Sequence, residues 1–336
     1  MNKSYRQHTG KLAILIIAAA LALSACGNSN SSGEASGTSP SPATANAAAT
    51  APAETSNDAT TRLFKDWTGH EVEIPVNPKR VVFYADTTGD ILALGITPIG
   101  ILKDNVKASV FEDKVVSAED LGLPISVEKT ITLEPDLIVF GNSDEAVYEQ
   151  LSKVAPTVSY DSFASLTDRL TTLGDMLGKK DEAAAWLAKS SEREAAMWKE
   201  IHAGGVGENE TATVVTFYPG NRLFVMMSAG LPQLLYSEGG FKKTAIIEST
   251  MKQEVGFVEV SLEKLPEYAG DRIFVLTPVS EDAQQSTSDL KNSPVWKSLP
   301  AVSNGYVYEI PIMKSLSDAV SREWLLEELP KLLAKP

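Results

Sequence analysis

Cationic, aromatic and hydroxyl side chains recur in this sequence at the carboxyl ends of short β-branched runs. Tyr84 closes Arg80-Val-Val-Phe-Tyr84, and Asp86, Thr87 and Thr88 follow it. Lys103 and Asp104 follow Pro98-Ile-Gly-Ile-Leu102, and Asn142 and Ser143 follow Leu137-Ile-Val-Phe140. Further on, Tyr218, Arg222 and Phe224 flank Pro219-Gly220-Asn221, Thr277 follows Arg272-Ile-Phe-Val-Leu276, and Lys314 comes after Ile310-Pro311-Ile312-Met313. Arginine offers a rigid fork to clustered oxygens and lysine a point charge. Tyrosine and phenylalanine supply flat surfaces, tyrosine with a polar tip. No Gly-x-Ser-x-Gly elbow, His-Glu-x-x-His or P-loop accompanies these residues. The histidines are His8, His70 and His202 and the single cysteine is Cys26, a poor supply for a transition-metal cage.

Cys26 has its own chemistry. Lys3, Arg6 and Lys11 precede an uninterrupted apolar run of 12 residues, Leu12 to Leu23, which ends in Leu23-Ser24-Ala25-Cys26. A membrane-spanning helix needs about 20 apolar residues, whereas the core of an export signal runs about 7–15. The run is therefore expected to be a signal peptide over 1–25. Small residues before the cut and a cysteine directly after it resemble the bacterial lipobox, which implies a diacylglyceryl group on the Cys26 sulfur. With no second cysteine there is no intramolecular disulfide, so stability must come from a large core. Losing Lys3, Arg6 and Lys11 with the signal takes the formal charge from −14 to −17. That acidity argues against a nucleic-acid partner, whose phosphates demand lysine and arginine.

The elements that must position the candidate residues follow a clear order. Residues 26–61, rich in Ser, Ala, Thr, Pro and Gly, cannot bury enough surface to repay ordering and form a tether. From residue 62 strands and helices alternate, which calls for α/β architecture with right-handed crossovers. Strands are expected over 80–84, 98–102, 133–140 and 154–160, and a helix carrying Ile91, Leu92 and Leu94 starts at a Thr87–Asp90 cap and stops at Gly95. Residues 163–202 read as helix, broken near Gly178, with Ala184, Leu187, Ala188, Ser191, Ala195 and Trp198 as its apolar stripe. The pattern restarts after residue 210, with strands at 213–218, 222–226, 272–276 and 305–310 and a closing amphipathic helix over 318–333. Two Rossmann-like lobes, 62–165 and 205–336, joined by one long connecting helix over 166–204, account for it. In open α/β sheets ligands bind beyond the carboxyl ends of the strands, where the candidate residues lie.

Three stretches carry a family resemblance over about residues 62–336. RVVFYADTTGDILALGITPIG (80–100) has a strand, a site loop, a helix and an LG-x-x-P-x-G ending; EKTITLEPDLIV (128–139) has an E-x-I-x-x-L-x-PDLI pattern with Thr130 at its isoleucine position; VSLEKLPEYAGDRIFVL (260–276) is the matching piece of the second lobe. Behind a lipobox, these resemble the substrate-binding lipoprotein of an ABC importer of the ferric-siderophore and cobalamin group. The resemblance implies a ligand held between the lobes, a small closure, docking on a permease and transfer powered by its ATPase. It implies neither chemistry on the ligand nor a resident cofactor. The ligand-binding candidates are Tyr84, Thr87, Thr88, Lys103, Asn142, Tyr218, Arg222, Phe224 and Lys314. Glu128 and Glu263, one per lobe at matching motif positions, are the implied permease-docking acids.

A ferric siderophore is the expected ligand, its chelator satisfying the iron, with cobalamin or haem as alternatives in the same class and an exported enzyme as the reading from another class. The protein is expected to be a monomer on the outer face of the cytoplasmic membrane, held there by the Cys26 lipid alone. Cys26→Ser is expected to move the protein from the membrane fraction into the medium or periplasm; persistent membrane attachment would refute the lipid assignment.

Overall fold

The computed structural model describes residues 60–253 and 255–334; the signal, Cys26 and most of the tether lie outside the described residues. The body opens with an antiparallel hairpin, β1 (Thr61–Lys65) and β2 (Glu71–Pro75). Its turn is organised by Asp66, whose Oδ1 accepts from the N–H groups of Thr68, Gly69 and His70. Asp66 Oδ2 accepts from Ser159 N–H at 2.9 Å and so pins the hairpin to the adjacent sheet.

That sheet is the first lobe. Its strands are β3 (Val81–Tyr84), β4 (Gly100–Ile101), β5 (Glu119–Asp120), β6 (Leu137–Phe140) and β7 (Thr157–Ser159), all parallel in the order β5-β4-β3-β6-β7. The central strands VVFY and LIVF are continuous apolar runs because helices cover both faces of a parallel sheet. The helices are α1 (Thr88–Ala93), α2 (Val127–Thr132) and α3 (Glu145–Leu151). The strand expected from residue 133 starts only at Leu137, because Glu134 adopts a positive φ of 45° and Asp136 is a fastener. Its carboxylate accepts from Lys79 N–H (2.6 Å) and Arg80 N–H (2.9 Å), tying the starts of β6 and β3 together.

Two helices follow, α4 (Leu166–Met176) and α5 (Lys180–Ala203), separated at Gly178, where φ is +67°. Of these two, only α5 crosses between lobes. Ala183 packs in the first core, while Met197, Trp198 and Ile201 pack in the second. The buried stripe is Ala183, Ser190, Met197, Trp198 and Ile201, not the stripe expected from sequence: Ala184, Ala188, Ser191 and Ala195 face solvent. Alanine is at home on either face of a helix, so an alanine-rich segment leaves its orientation undetermined by composition.

The second lobe contains β8 (Ala212–Tyr218), β9 (Arg222–Met226), β10 (Phe257–Val260), β11 (Arg272–Thr277) and β12 (Val307–Pro311), in the order β10-β9-β8-β11-β12. β8, β11 and β12 are parallel; β9 returns antiparallel through the turn at 219–221, so this sheet is mixed. Its short helices are α6 (Pro232–Leu235), α7 (Ala245–Met251), α8 (Leu265–Tyr268), α9 (Glu281–Asn292), α10 (Pro294–Lys297) and α11 (Pro300–Ser303). Asp271 repeats the role of Asp136: its Oδ2 accepts from the N–H (2.8 Å) and hydroxyl (2.7 Å) of Thr211, joining the starts of β11 and β8.

The closing helix, α12 (Ala319–Leu333), is more than a cover for its own lobe. Leu325, Leu326, Leu329 and Leu333 pack in the second core, but Ala319 packs in the first. Its start is fixed by a buried ionic cluster. Arg169 Nε donates to Asp90 Oδ2 at 2.7 Å with both side chains fully buried, and Arg169 Nη2 donates to the Ser317 carbonyl at 2.6 Å. Asp90 Oδ1 accepts from Ala319 N–H at 2.8 Å. Asp318 caps α12 through Ser321 N–H (2.9 Å) and the Ser321 hydroxyl (2.8 Å). Gly89 makes room for it: a Cβ there would lie 1.7 Å from Asp318 Oδ1.

Complete burial, with Asp90 close by, pushes the Asp318 carboxyl up from 3.8 to about 6. A group whose native pKa is raised contributes stability that is full below its unfolded value and lost as pH rises through its native value. Asp318→Asn keeps an acceptor at the cap and removes this titration. The melting temperature of Asp318→Asn minus that of the wild type is expected to increase as pH is raised from about 4 to about 7; a difference independent of pH would contradict the assignment.

Candidate functional site

The lobes meet at a cavity of about 250 Å³. The first lobe supplies Asp86 and Thr87 from beyond β3 and Ser162 and Phe163 from beyond β7; Ser228 and Ser317 come from beyond β9 and β12. A larger cavity of about 660 Å³ runs along α5 and is lined by Trp186, Ser190 and Glu194 among others. The two share Phe163, Ser228 and Gln233, which places Phe163 on the partition between them. Phe163 is 80% exposed.

Thr87 occupies the N-cap position of α1, as expected, but makes no capping bond. Its hydroxyl and that of Ser162, at residues only 3% and 6% exposed, have no hydrogen-bond partner among the described residues. The Tyr160 hydroxyl beside Thr87 is directed at Asp90, 3.2 Å away. Thr88 points inward, its hydroxyl 3.5 Å from the Ala85 carbonyl. Asp86 Oδ1 accepts from Asn105 Nδ2 at 2.5 Å. The residue is exposed at the cavity mouth, and partial desolvation there pushes its carboxyl above the ordinary range.

Four other candidates, three in the first lobe and Lys314 in the second, are spent on their own lobes. The Tyr84 hydroxyl donates to the Gly122 carbonyl at 2.8 Å, and its ring stacks on Phe140. Burial, with Asp120 and Asp86 nearby, raises its phenol pKa. Lys103 turns its ammonium to the Val116 carbonyl (3.2 Å). Asn142 Oδ1 accepts from Asp144 N–H at 3.0 Å and forms the turn leading into α3. Lys314 sits over Trp324, 5.9 Å from the ring centroid.

The second lobe brings three of its four ligand-binding candidates together. Side chains alternate along a strand, so Tyr218, Arg222, Phe224 and Met226 share one face of the β8–β9 ladder, and the register adds Phe257 and Glu259 from β10. Tyr218 and Phe224 meet edge to face at 5.1 Å, and Phe224 and Phe257 at 5.7 Å. Tyr218 is 48% and Phe257 52% exposed, so this aromatic wall presents rings to solvent. Arg222 lies over Phe224 at 5.0 Å and is held by both oxygens of Glu259, at 3.0 and 2.6 Å. That bidentate bond, with the Glu259 charge, raises the Arg222 pKa and lowers that of Glu259. The ladder continues to Ser228 and Gly256, both lining the smaller cavity.

Sequence reasoning missed Ser162, Phe163, Phe257 and Glu259. The strand-end rule reaches Ser162 and Phe163 when it is extended past β7. Phe257 and Glu259 lie on an edge strand that pairs with β9 at a distance no local pattern reveals.

Glu128 and Glu263 are both exposed and occupy equivalent topological places. Glu128 lies in the first turn of α2, between β5 and β6; Glu263 lies in the helical turn Leu262–Lys264, between β10 and β11. Because β5 and β10 run in the same direction as the central strand of their sheets, both acids stand at the sheets' carboxyl ends. A bond from its own backbone N–H and the Ser261 hydroxyl keep the Glu263 carboxyl low.

Among the described residues no group of three or more His, Cys, Asp or Glu converges where a metal ion could sit. The two described histidines are engaged elsewhere: His70 stacks on Tyr148 between Asp66 and Glu145, and His202 bonds the carbonyls of Val206 and Gly239. No helix among the described residues is long and apolar enough to cross a membrane.

Residues 81–312 match the family model described as periplasmic binding protein. The chain belongs to that family. Its members are substrate-binding proteins rather than enzymes, in keeping with a site built from aromatic faces and hydroxyls. The iron(3+)-hydroxamate-binding protein FhuD of Bacillus subtilis (strain 168) is 34% identical over 291 residues, covering 84% of this chain and 90% of that protein. The iron(3+)-hydroxamate-binding protein YxeB of the same organism is 31% identical over 259 residues, covering 75% and 78%. The structure of Staphylococcus aureus SirA complexed with staphyloferrin B superposes with a TM-score of 0.73 at 28% identity, covering 81% of this chain and 98% of that one.

Proposed function

We propose that this periplasmic binding protein is the lipid-anchored receptor of an ABC importer, that its ligand is a ferric hydroxamate siderophore, and that it binds as a monomer. The supporting observation is the character of the cleft: an exposed aromatic wall beside a hydroxyl-lined cavity, with its cation already neutralised. Arg222 is paired with Glu259 and Lys103 is turned to a backbone carbonyl. Three hydroxamate anions cancel the charge of Fe(III), so such a chelate asks for flat apolar faces and hydroxyl partners. A tris-catecholate complex carries excess negative charge and calls for unpaired guanidinium or ammonium groups. The named specificity of the two Bacillus subtilis relatives points the same way.

Within this reading Tyr218, Phe224 and Phe257 receive the face of the chelate, and Thr87 and Arg222 border it. Tyr84, Thr88, Asn142 and Lys314 hold the loops that shape the cleft. Glu128 and Glu263 present one carboxylate per lobe to cationic groups on the permease. Exposed charges of this kind steer encounters more than they add affinity, which makes docking sensitive to salt. The Cys26 lipid and tether keep the receptor near its permease at high effective concentration.

Titration of ferric trihydroxamates against intrinsic tryptophan fluorescence is expected to quench emission, since Trp186 lines the neighbouring cavity. The double variant Glu128→Ala/Glu263→Ala is expected to bind with wild-type affinity yet fail to support uptake in cells. No quenching by any ferric trihydroxamate would defeat the ligand assignment, and loss of binding in the double variant would defeat the docking assignment.

A further inference from the structure

The smaller inter-lobe cavity carries, beside its hydroxyls, a carboxylate that a neutral chelate does not use. Its volume, about 250 Å³, corresponds to roughly eight waters at about 30 Å³ each. Sites that enclose whole drug-sized ligands run about 300–1,000 Å³. This cavity is large enough for a short side arm. It contains one carboxylate, Asp86, and no lysine, arginine or histidine. Asp86 has one hydrogen-bonding partner among the described residues, Asn105, which takes Oδ1 and leaves Oδ2 available. Beside it are the two buried hydroxyls, Thr87 and Ser162, that have no partner among the described residues. Buried polar groups are almost always satisfied, so an orphaned pair on one cavity marks a place where something binds.

We propose that this cavity is a subsite for a pendant alkylammonium arm of the siderophore, with the iron chelate itself on the aromatic wall. An ammonium carries three donors and no acceptor. Asp86 Oδ2, Thr87 Oγ1 and Ser162 Oγ are three oxygens on one cavity, each able to accept from it. A cation there neutralises the Asp86 carboxylate, which stands exposed at the cavity mouth with a pKa raised by partial desolvation. Phe163, on the partition and 80% exposed, covers the methylenes of the arm. Water alone fits the hydroxyls but leaves the carboxylate unneutralised and Phe163 uncovered. A neutral acyl arm presents a carbonyl oxygen to Asp86 and is disfavoured.

This inference rests on the ferric hydroxamate reading, and the experiment separates the two. The affinity of the full-length protein for the ferric complex of a linear trihydroxamate with a terminal amine is compared with that for its N-acetylated form. The wild type is expected to bind the ammonium form at least about tenfold more tightly, the scale of one charged hydrogen bond. Asp86→Asn, which retains a group for Asn105, is expected to bring the two affinities together. Thr87→Val is expected to weaken the ammonium complex more than the acetylated one. Equal wild-type affinities for the two forms, or an unchanged preference in Asp86→Asn, would overturn the subsite while leaving the receptor assignment standing. Failure of both complexes to bind would overturn the receptor assignment and the subsite with it.

Discussion

The buried ion pair between Asp90 and Arg169 is the interaction on which the arrangement of this molecule depends. Asp90 comes from α1, directly after the first-lobe site loop, and Arg169 from α4. Isolated in the interior, each charge would cost several kcal/mol, and their mutual attraction repays this only when the remaining donors and acceptors are also satisfied. Here they are satisfied by the chain's return from the other lobe: Arg169 bonds the Ser317 carbonyl and Asp90 accepts from Ala319 N–H. The charges of the first lobe are therefore complete only when α12 is docked on it, which makes α12 a second link between lobes.

This changes the picture of one helix joining two lobes. The covalent connection is α5, but α12 runs beside it, and the two are bonded along their length by Trp186–Glu323, Arg322–Glu194 and Arg193–Glu327. Each helix has one end in each core. A hinge that rotates freely would have to expose Arg169 or pull Ala319 away from Asp90. The cleft floor, through Ser317 and Ser162, is built on that fixed seam. In the receptor proposed above, ligand capture rests on a preformed wall and cavity rather than on lobes that swing shut.

Much of the architecture was legible because it depends on local signals. Continuous apolar runs such as VVFY and LIVF marked central parallel strands, and Gly95 and Gly178 marked helix ends through their positive φ. The two motif aspartates turned out to share a mechanical role, Asp136 and Asp271 each fastening neighbouring strand starts, which explains why the two half-patterns look alike. The candidate site was less legible. Tyr218, Arg222 and Phe224 were found because one hairpin carries them all. Lys103 was named for its place after a strand, yet its side chain follows the loop to Val116, a choice made by tertiary packing. Phe257 and Glu259 became visible only through β-pairing register, and the bridging role of α12 through the long-range bonds of Arg169 to the Ser317 carbonyl and of Ala319 N–H to Asp90.

The most direct test of the fixed seam is a distance across it. Spin labels at Lys129→Cys and Lys264→Cys, one per lobe, in a chain also carrying Cys26→Ser, report the lobe separation with and without a ferric trihydroxamate. The account predicts a shift on binding of less than about 2 Å, the behaviour of preorganised sites. A closure well beyond about 2 Å with Arg169 intact would contradict it.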